Sequence, residues 1–252
     1  MEILGILQAR TSSTRLPGKV LKKILGKALL ELQIEREKRS KLIEKLIVAT
    51  SNNASDDPLE DLCKKIGVEC FRGNLENVLD RFYQAALPYT PKYVVRLTGD
   101  CPLVDPELLD EIVSYCIQNH LDYATNALEP TYPDGLDVEV FRFSALEEAW
   151  REARLPSQLE HVTPYINRQP DKFKIGHYKS KLDLSYLRWT VDEEEDFVLV
   201  KTIYENLYPK NPIFTTSDVL QFLDQNPQWK TYNLKHERNE GFKKSLENDL
   251  KH

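Results

Sequence analysis

A chain of 252 residues, 41% of them hydrophobic, holds enough apolar material for one large domain or two small ones, and 29% charged residues suit a water-facing surface. The net charge of −6, with a pI near 5.5, weighs against nucleic acid or an anionic membrane as partner, although a local basic pocket is compatible with it. No apolar run approaches the roughly 20 residues of a membrane span and no leader-like segment opens the chain, so a cytoplasmic protein is expected.

Residues 3–7 are an apolar run of strand length that leads into Gln8-Ala9-Arg10-Thr11-Ser12-Ser13-Thr14-Arg15-Leu16-Pro17-Gly18-Lys19. A helix begins at Leu29 and becomes charged over residues 35–41. Residues 46–50 form a second strand, followed by a polar loop and by a helix that Pro58 opens. Residues 68–71 make a short strand, and residues 75–86 have helical spacing. A fourth strand, 93–97, ends at Thr98-Gly99-Asp100-Cys101-Pro102, and a helix follows over 106–119. Such alternation predicts an α/β fold with a mostly parallel sheet covered by helices.

The second half is less regular. Tyr132-Pro133-Asp134-Gly135 is a turn signal, and residues 137–141 alternate as a strand does. Residues 144–154 read as a helix with Ser144 and Glu147 as a capping box, and a further helix over 156–167 is interrupted near Pro164. Strands are expected at 173–178 and 187–191, with Asp192 at the end of the latter, then helices over 194–207 and 216–223. The division is a domain over 1–225 with an inserted lobe at about 120–185, then a charged tail over 226–252, of which residues 235–252 are expected as a loosely held helix. Cys63, Cys70, Cys101 and Cys116 lack Cys-x-x-Cys spacing, which favours reduced thiols over disulfides or zinc.

Ligands of open α/β sheets bind beyond the carboxyl ends of the strands. A strand that runs into two arginines, four hydroxyls, a glycine and a lysine therefore reads as an anion cradle in which Arg10 and Lys19 grip a polyphosphate. The loop is neither a P-loop nor a G-x-G-x-x-G turn. Asp100 and Asp192 close two strands and would reach the same sheet edge, where paired carboxylates suit magnesium; each would equally serve as a helix cap. Arg72, Gly73 and Asn74 follow a short strand and suit a nucleotide, or Asn74 caps the next helix. Asp80 and Arg81 either face the pocket or pair along a helix.

Ile6-Leu7-Gln8-Ala9-Arg10-x-x-Ser13-x-Arg15-Leu16-Pro17-Gly18-Lys19 resembles the opening signature of the cytidylyltransferases that activate acidic sugars, the 3-deoxy-manno-octulosonate and acylneuraminate enzymes among them. Gly99-Asp100-x-Pro102-Leu103 resembles the family's Gly-Asp-x-Pro motif, and Trp189-Thr190-Val191-Asp192-Glu193-x-Glu195-Asp196 its late acidic segment. Arg96-Leu97-Thr98-Gly99-Asp100-Cys101-Pro102-Leu103 and Pro133-Asp134-Gly135-Leu136-Asp137-Val138-Glu139-Val140-Phe141 are similar to the branch of the spore coat polysaccharide biosynthesis protein F. Two departures stand out: Thr98 replaces a glutamine before Gly99-Asp100, and Glu194 stands where the family has proline.

The resemblance implies a Rossmann-like sheet with helices on both faces, an inserted acceptor and dimerisation lobe, CTP as donor, magnesium, and a homodimer. It places Ala9, Arg10, Ser13, Arg15, Lys19, Arg72, Asn74 and Gly99 at the nucleotide, and Asp100 and Asp192 on the metal, with Arg10, Lys19, Asp100 and Asp192 as the catalytic set. An acceptor oxygen would attack the α-phosphorus and release pyrophosphate. Asp134, Asp137, Glu139, His161 and Arg188 are the expected acceptor contacts, although a lone histidine on a helix suits a structural role better and Arg188 equally pairs with Asp192. The acceptor would be an acidic or phosphorylated sugar-like molecule for surface polysaccharide or glycoconjugate assembly. The competing readings are a guanylyl- or uridylyltransferase, a glycosyltransferase using a nucleotide sugar, and a non-catalytic binding subunit.

Overall fold

A computed structural model describes residues 1–236 and 238–250. Strands β1 (Ile3–Gln8), β2 (Lys23–Ile24), β3 (Lys27–Ala28), β4 (Lys45–Ser51), β5 (Glu69–Gly73) and β6 (Tyr93–Thr98) come from the first half, and β7 (Tyr123–Thr125), β8 (Glu139–Arg142) and β9 (Ile175–His177) from the second. Seven of them form one sheet in the order β5-β4-β1-β6-β8-β7-β9, while β2 and β3 make a small hairpin. β5, β4, β1 and β6 are parallel to one another; β8 runs antiparallel to both β6 and β7, and β9 is parallel to β7. The mostly parallel sheet expected from the alternation is present. Residues 120–185 contribute three strands to this same sheet.

Side chains alternate across a strand, and the two faces bury separate cores. Ile3 and Leu7 of β1, with Tyr93, Val95 and Leu97 of β6, pack under α1 (Leu29–Glu37), α2 (Asp57–Lys65), α4 (Pro106–Gln118), α8 (Glu194–Leu207) and α9 (Thr216–Gln225). Leu4, Ile6 and Val94 face the other way, onto α3 (Val78–Ala86), α5 (Phe143–Glu152) and α7 (Pro164–Asn167). Helix α6 (Pro156–His161) precedes α7 and is separated from it by Val162 at φ +69°. Helix α10 (Glu240–Asp249) packs on α6. In α1 the burial of Leu29, Leu30, Leu32 and Ile34, at about 1.5–3 kcal/mol each, offsets the cost of burying Gln33, Arg36 and Glu37 on the same short helix.

Three local expectations fail. Residues 187–191 are not a strand of the sheet; they form an extended segment that pairs only through an isolated bridge between Asp134 and Arg188. Ser144 does not cap α5, because the helix starts one residue earlier with Arg142 at its N-cap and no side-chain cap. The helix expected from residue 75 begins at Val78, where Asn77 caps it by accepting from Asp80 N. Residues 74–77 are instead a turn in which the Asn74 side chain accepts from the backbone N–H of Glu76 and Asn77.

Candidate active site

The first loop leaves β1 at the carboxyl edge of the sheet. Asp56, fully buried, accepts from both the backbone N–H and the hydroxyl of Thr11 at 2.7 Å and also from Ser51, which ties the loop to the end of β4. Burial pushes the Asp56 carboxyl up, but the hydrogen bonds from Ser51 and Thr11 outweigh it and hold the group below the usual carboxylate range. Gly18 N–H closes the loop on Thr11 O at 2.9 Å, and Gly18 takes φ +68°, a left-handed turn that side chains resist. The short helical turn Lys19–Leu21 follows, so Lys19 is turned inward while Arg10 stays exposed.

Asp100 arrives from the end of β6. Gly99 N–H donates to Gln8 O at 2.8 Å, and a Cβ on Gly99 would lie 3.0 Å from Ala9 Cβ, so the two loops meet in tight contact. The extended segment then docks on Asp100: Val191 N–H donates to Asp100 O at 2.7 Å. Gly135, at φ +103°, lets the Pro133–Leu136 turn lie flat against that segment, since a Cβ there would sit 2.4 Å from Thr190 N. Asp192 therefore reaches the site through contacts with two loops rather than through a strand.

Lys19 Nζ stands between the two aspartates. It lies 2.8 Å from Asp192 Oδ1 and 3.4 Å from Asp100 Oδ2, and it donates to Val191 O at 2.7 Å. Asp192 Oδ2 also faces Arg15 at 2.9 Å and Arg188 at 3.5 Å. Burial pulls the Lys19 ammonium down, but Asp100 and Asp192 more than offset this and hold it above its usual value. Burial likewise pushes Asp100 up, and the Lys19 charge with a hydrogen bond from Thr98 holds it below the ordinary range.

Arg188 lies behind this cluster, 5% exposed. It forks onto Asp196 with two bonds of 2.9 Å and reaches Asp134 at 2.9 Å. Asp196 caps α8 by accepting from the backbone N–H of Asp192 and Glu193 at 3.0 Å, so the guanidinium holds the turn that carries Asp192. Asn233 completes the set by donating to Arg188 O and to Asp196.

The acidic run is not a bare face. Asp137 pairs with Arg238, which also donates to Tyr132 O at 3.2 Å. Glu139 pairs with Arg96 and accepts from Tyr123 and Thr163. The strand register explains the second pair: Arg96 and Glu139 are direct cross-strand partners, and Gln8 on the same face accepts from Arg96 Nε at 3.1 Å. Burial pushes Asp137 up to about 7, against the pull of Arg238 and with the help of Asp134 and Glu139. His161 bonds Ser245 at 2.9 Å and meets Phe242 edge to face; burial, then the charges of Arg96 and Arg10, bring its pKa down to about 4.

Arg72 is committed to Asp57 and Glu60 and donates to Ser51 O and Asn53 O, so it shapes the loop after β4. Arg81 donates to Asn74 O at 2.8 Å from the buried side of the same loop. Ser13 Oγ accepts from Leu16 N–H at 3.4 Å, inside the first loop. The structure thus gathers Lys19, Asp100 and Asp192 with Arg15 and Arg188; Arg72 and Gly73, expected after a short strand, are the last residues of β5, and Asn74 stands in the turn that follows.

Several residues at this edge went unassigned in the sequence. Arg96 had a signal, a charge inside an otherwise apolar strand. Asp56 and Asn233 had none beyond being short polar residues in loops. The tail expected to be loosely held is tied across the site: Lys235 pairs with Glu195 at 2.6 Å, Arg238 with Asp137, Glu240 with Arg15 at 3.2 Å, and Asp249 accepts from Ser157 N–H at 2.9 Å. A cavity of about 440 Å³ lies at the opposite edge, beside Glu37 and Glu69, and brings together none of these residues.

A family model described as cytidylyltransferase matches residues 4–243. The chain belongs to the cytidylyltransferase family. This cytidylyltransferase is 41% identical over 235 residues to an uncharacterized protein of Methanocaldococcus jannaschii, covering 92% of this chain and 95% of that protein. It is 37% identical over 238 residues to the spore coat polysaccharide biosynthesis protein SpsF of Bacillus subtilis, covering 90% of this chain and 95% of that one. A 3-deoxy-manno-octulosonate cytidylyltransferase of Chlamydia trachomatis is 30% identical over 64% of this chain and 66% of its own length. Among solved structures, a cytidylyltransferase from Leptospira borgpetersenii superposes with a TM-score of 0.87 at 35% identity, over 92% of this chain and 98% of that one. The cytidylyltransferase has no helix, among the described residues, long and apolar enough to cross a membrane.

Proposed function

We propose that the enzyme moves CMP from CTP to a sugar-like acceptor bearing an acidic or phosphate group, releases pyrophosphate, and serves the assembly of a surface polysaccharide or glycoconjugate. The observation that carries this reading is the Lys19 ammonium held between Asp100 and Asp192 at the carboxyl edge of the sheet, beside the arginine loop. A cation of the chain already standing between the two carboxylates indicates that the pair fits a positive ion. Asp100 and Asp192 would hold magnesium, which supplies charge neutralisation at the reacting phosphate when bound.

The chain's own groups do the rest. Arg10, exposed and without a side-chain partner among the described residues, receives the phosphates together with Arg15 and Lys19. Ala9, Ser13 and Gly99 let backbone approach the nucleotide, and Arg72 with Asn74 shapes the loop beside it. Arg188 positions Asp192 through Asp196. The acceptor lies against Asp134, Asp137, Glu139 and His161, whose paired charges present arginine as well as carboxylate groups. Its oxygen attacks the α-phosphorus in line as the bond to pyrophosphate breaks, so positioning and charge stabilisation dominate. The homodimer belongs to this reading and is checked by light scattering.

The test is pyrophosphate release from CTP, GTP, UTP and ATP with magnesium and a panel of acidic, phosphorylated and neutral sugars. Release from CTP that depends on an acidic or phosphorylated acceptor is expected. Equal release from UTP or GTP, or release only with neutral sugars, contradicts the reading.

A further inference from the structure

Lys19 is placed for more than phosphate binding. Its side chain is 10% exposed, and its ammonium is satisfied by Asp192 at 2.8 Å, Val191 O at 2.7 Å and Asp100 at 3.4 Å. The left-handed Gly18 and the turn behind it aim it there. The other oxygen of Asp192 faces Arg15 and Arg188. Lys19 is thus the one cation, among the described residues, that touches both carboxylates, while Arg15 and Arg188 share Asp192 with Glu193, Glu240, Asp134 and Asp196. A divalent ion approaching the pair competes with the ammonium for the same oxygens, in a partly buried setting where such forces are screened less than in water. Nucleotide phosphates change the balance, because they give Lys19 and Arg15 another anionic partner.

We propose that Lys19 is an internal counter-ion that keeps the Asp100–Asp192 pair closed to divalent metal until nucleotide phosphates draw its ammonium away, so that metal and nucleotide load together. The proposal rests on the reading of Asp100 and Asp192 as the metal pair. Coupling of this kind is reciprocal: whatever moves Lys19 off the aspartates favours the metal, and the metal favours whatever holds Lys19 elsewhere.

The experiment is Mn²⁺ binding to the nucleotide-free protein, read from the free-ion signal in electron paramagnetic resonance, with circular dichroism as the check on folding. The set is wild type, Lys19→Met, Lys19→Gln and Lys19→Arg. Gln keeps a hydrogen-bond donor near Val191 O without the charge, and it carries the test if Lys19→Met fails to fold; Arg keeps the charge. Both neutral variants are expected to bind Mn²⁺ about tenfold tighter or more than wild type, within the usual range of coupling between sites. Lys19→Arg stays near wild type, and adding Asp100→Asn to either neutral variant removes the gain. Equal affinity of wild type and the neutral variants, with binding lost in Asp100→Asn, overturns the gate and leaves the metal pair standing. No binding in the neutral variants, or binding that survives Asp100→Asn, overturns both.

Discussion

Asp192 touches three cations, and Asp100 shares one of them. Replacing either carboxylate by its amide keeps the size, removes the charge and turns one acceptor oxygen into a donor. Asp100→Asn and Asp192→Asn are each expected to abolish turnover, a loss of several kcal/mol in transition-state stabilisation, with an unchanged circular dichroism spectrum. Near-wild-type turnover in either variant would take that residue out of the site. Gly135 makes a different demand: it must hold φ +103° while Thr190 N lies 2.4 Å from where its Cβ would be. Strain in that backbone region and overpacking each cost about 1–3 kcal/mol, so Gly135→Ala should lower stability by roughly 3 kcal/mol in urea denaturation. A loss below about 1 kcal/mol would mean that the extended segment shifts freely. Arg188 was legible as an arginine beside Asp192, but not as a buried fork on Asp196. Arg188→Met should cost about 3–5 kcal/mol because it leaves the fully buried Asp196 carboxylate without its cationic partner.

At the scale of elements, periodicity revealed the parallel strands and their helices, since buried strands and amphipathic helices carry their burial pattern locally. It misread residues 187–191. Leu187, Trp189 and Val191 do bury on one side, as in a strand, but their partners are the Pro133–Leu136 turn and Asp100 O, contacts set by chain folded far away in sequence. The tail helix was legible as α10, but its attachment was not: Asn233, Lys235, Arg238 and Glu240 hold the site through single polar contacts without a period. Ending the chain at residue 230 strips Asn233 from Arg188 O and Asp196, and buried groups left unpaired cost about 1–3 kcal/mol each. The melting temperature should fall by roughly 3 °C or more, and an unchanged value would show that the tail does not brace the site. Helix α1 gives a pH test. Burial pushes Glu37 up to about 8. Its folded pKa lies above the unfolded value, so its contribution to stability is complete below about pH 4 and drains as pH rises towards 8, by at most about 1.4 kcal/mol per unit. Glu37→Gln should flatten the stability profile between pH 5 and 8 in urea titrations, and a profile as steep as wild type would contradict the burial argument.

For the whole molecule, the sheet places the first loop, the end of β6 and the extended segment at one edge, with two cores on its faces and the tail drawn across. Charged residues at strand ends carried that geometry in the sequence; the internal pairing of the acidic run with Arg96, Arg188 and Arg238 did not show there, because a carboxylate awaiting a ligand and one already paired look alike in a chain of letters. The central claim is selective use of a cytidine triphosphate at this edge. Its most direct measurement is the melting temperature of the wild-type protein with magnesium and each of CTP, UTP, GTP and ATP. At a ligand concentration one hundred times Kd the native state gains about 2.7 kcal/mol, a rise of roughly 5–10 °C for a chain of this size. That rise is expected with CTP, a smaller one with the other nucleotides, and a uniform weakening in Arg10→Ala because phosphate contacts carry no base information. An equal or larger rise with UTP, GTP or ATP, or no rise with CTP, would contradict that claim.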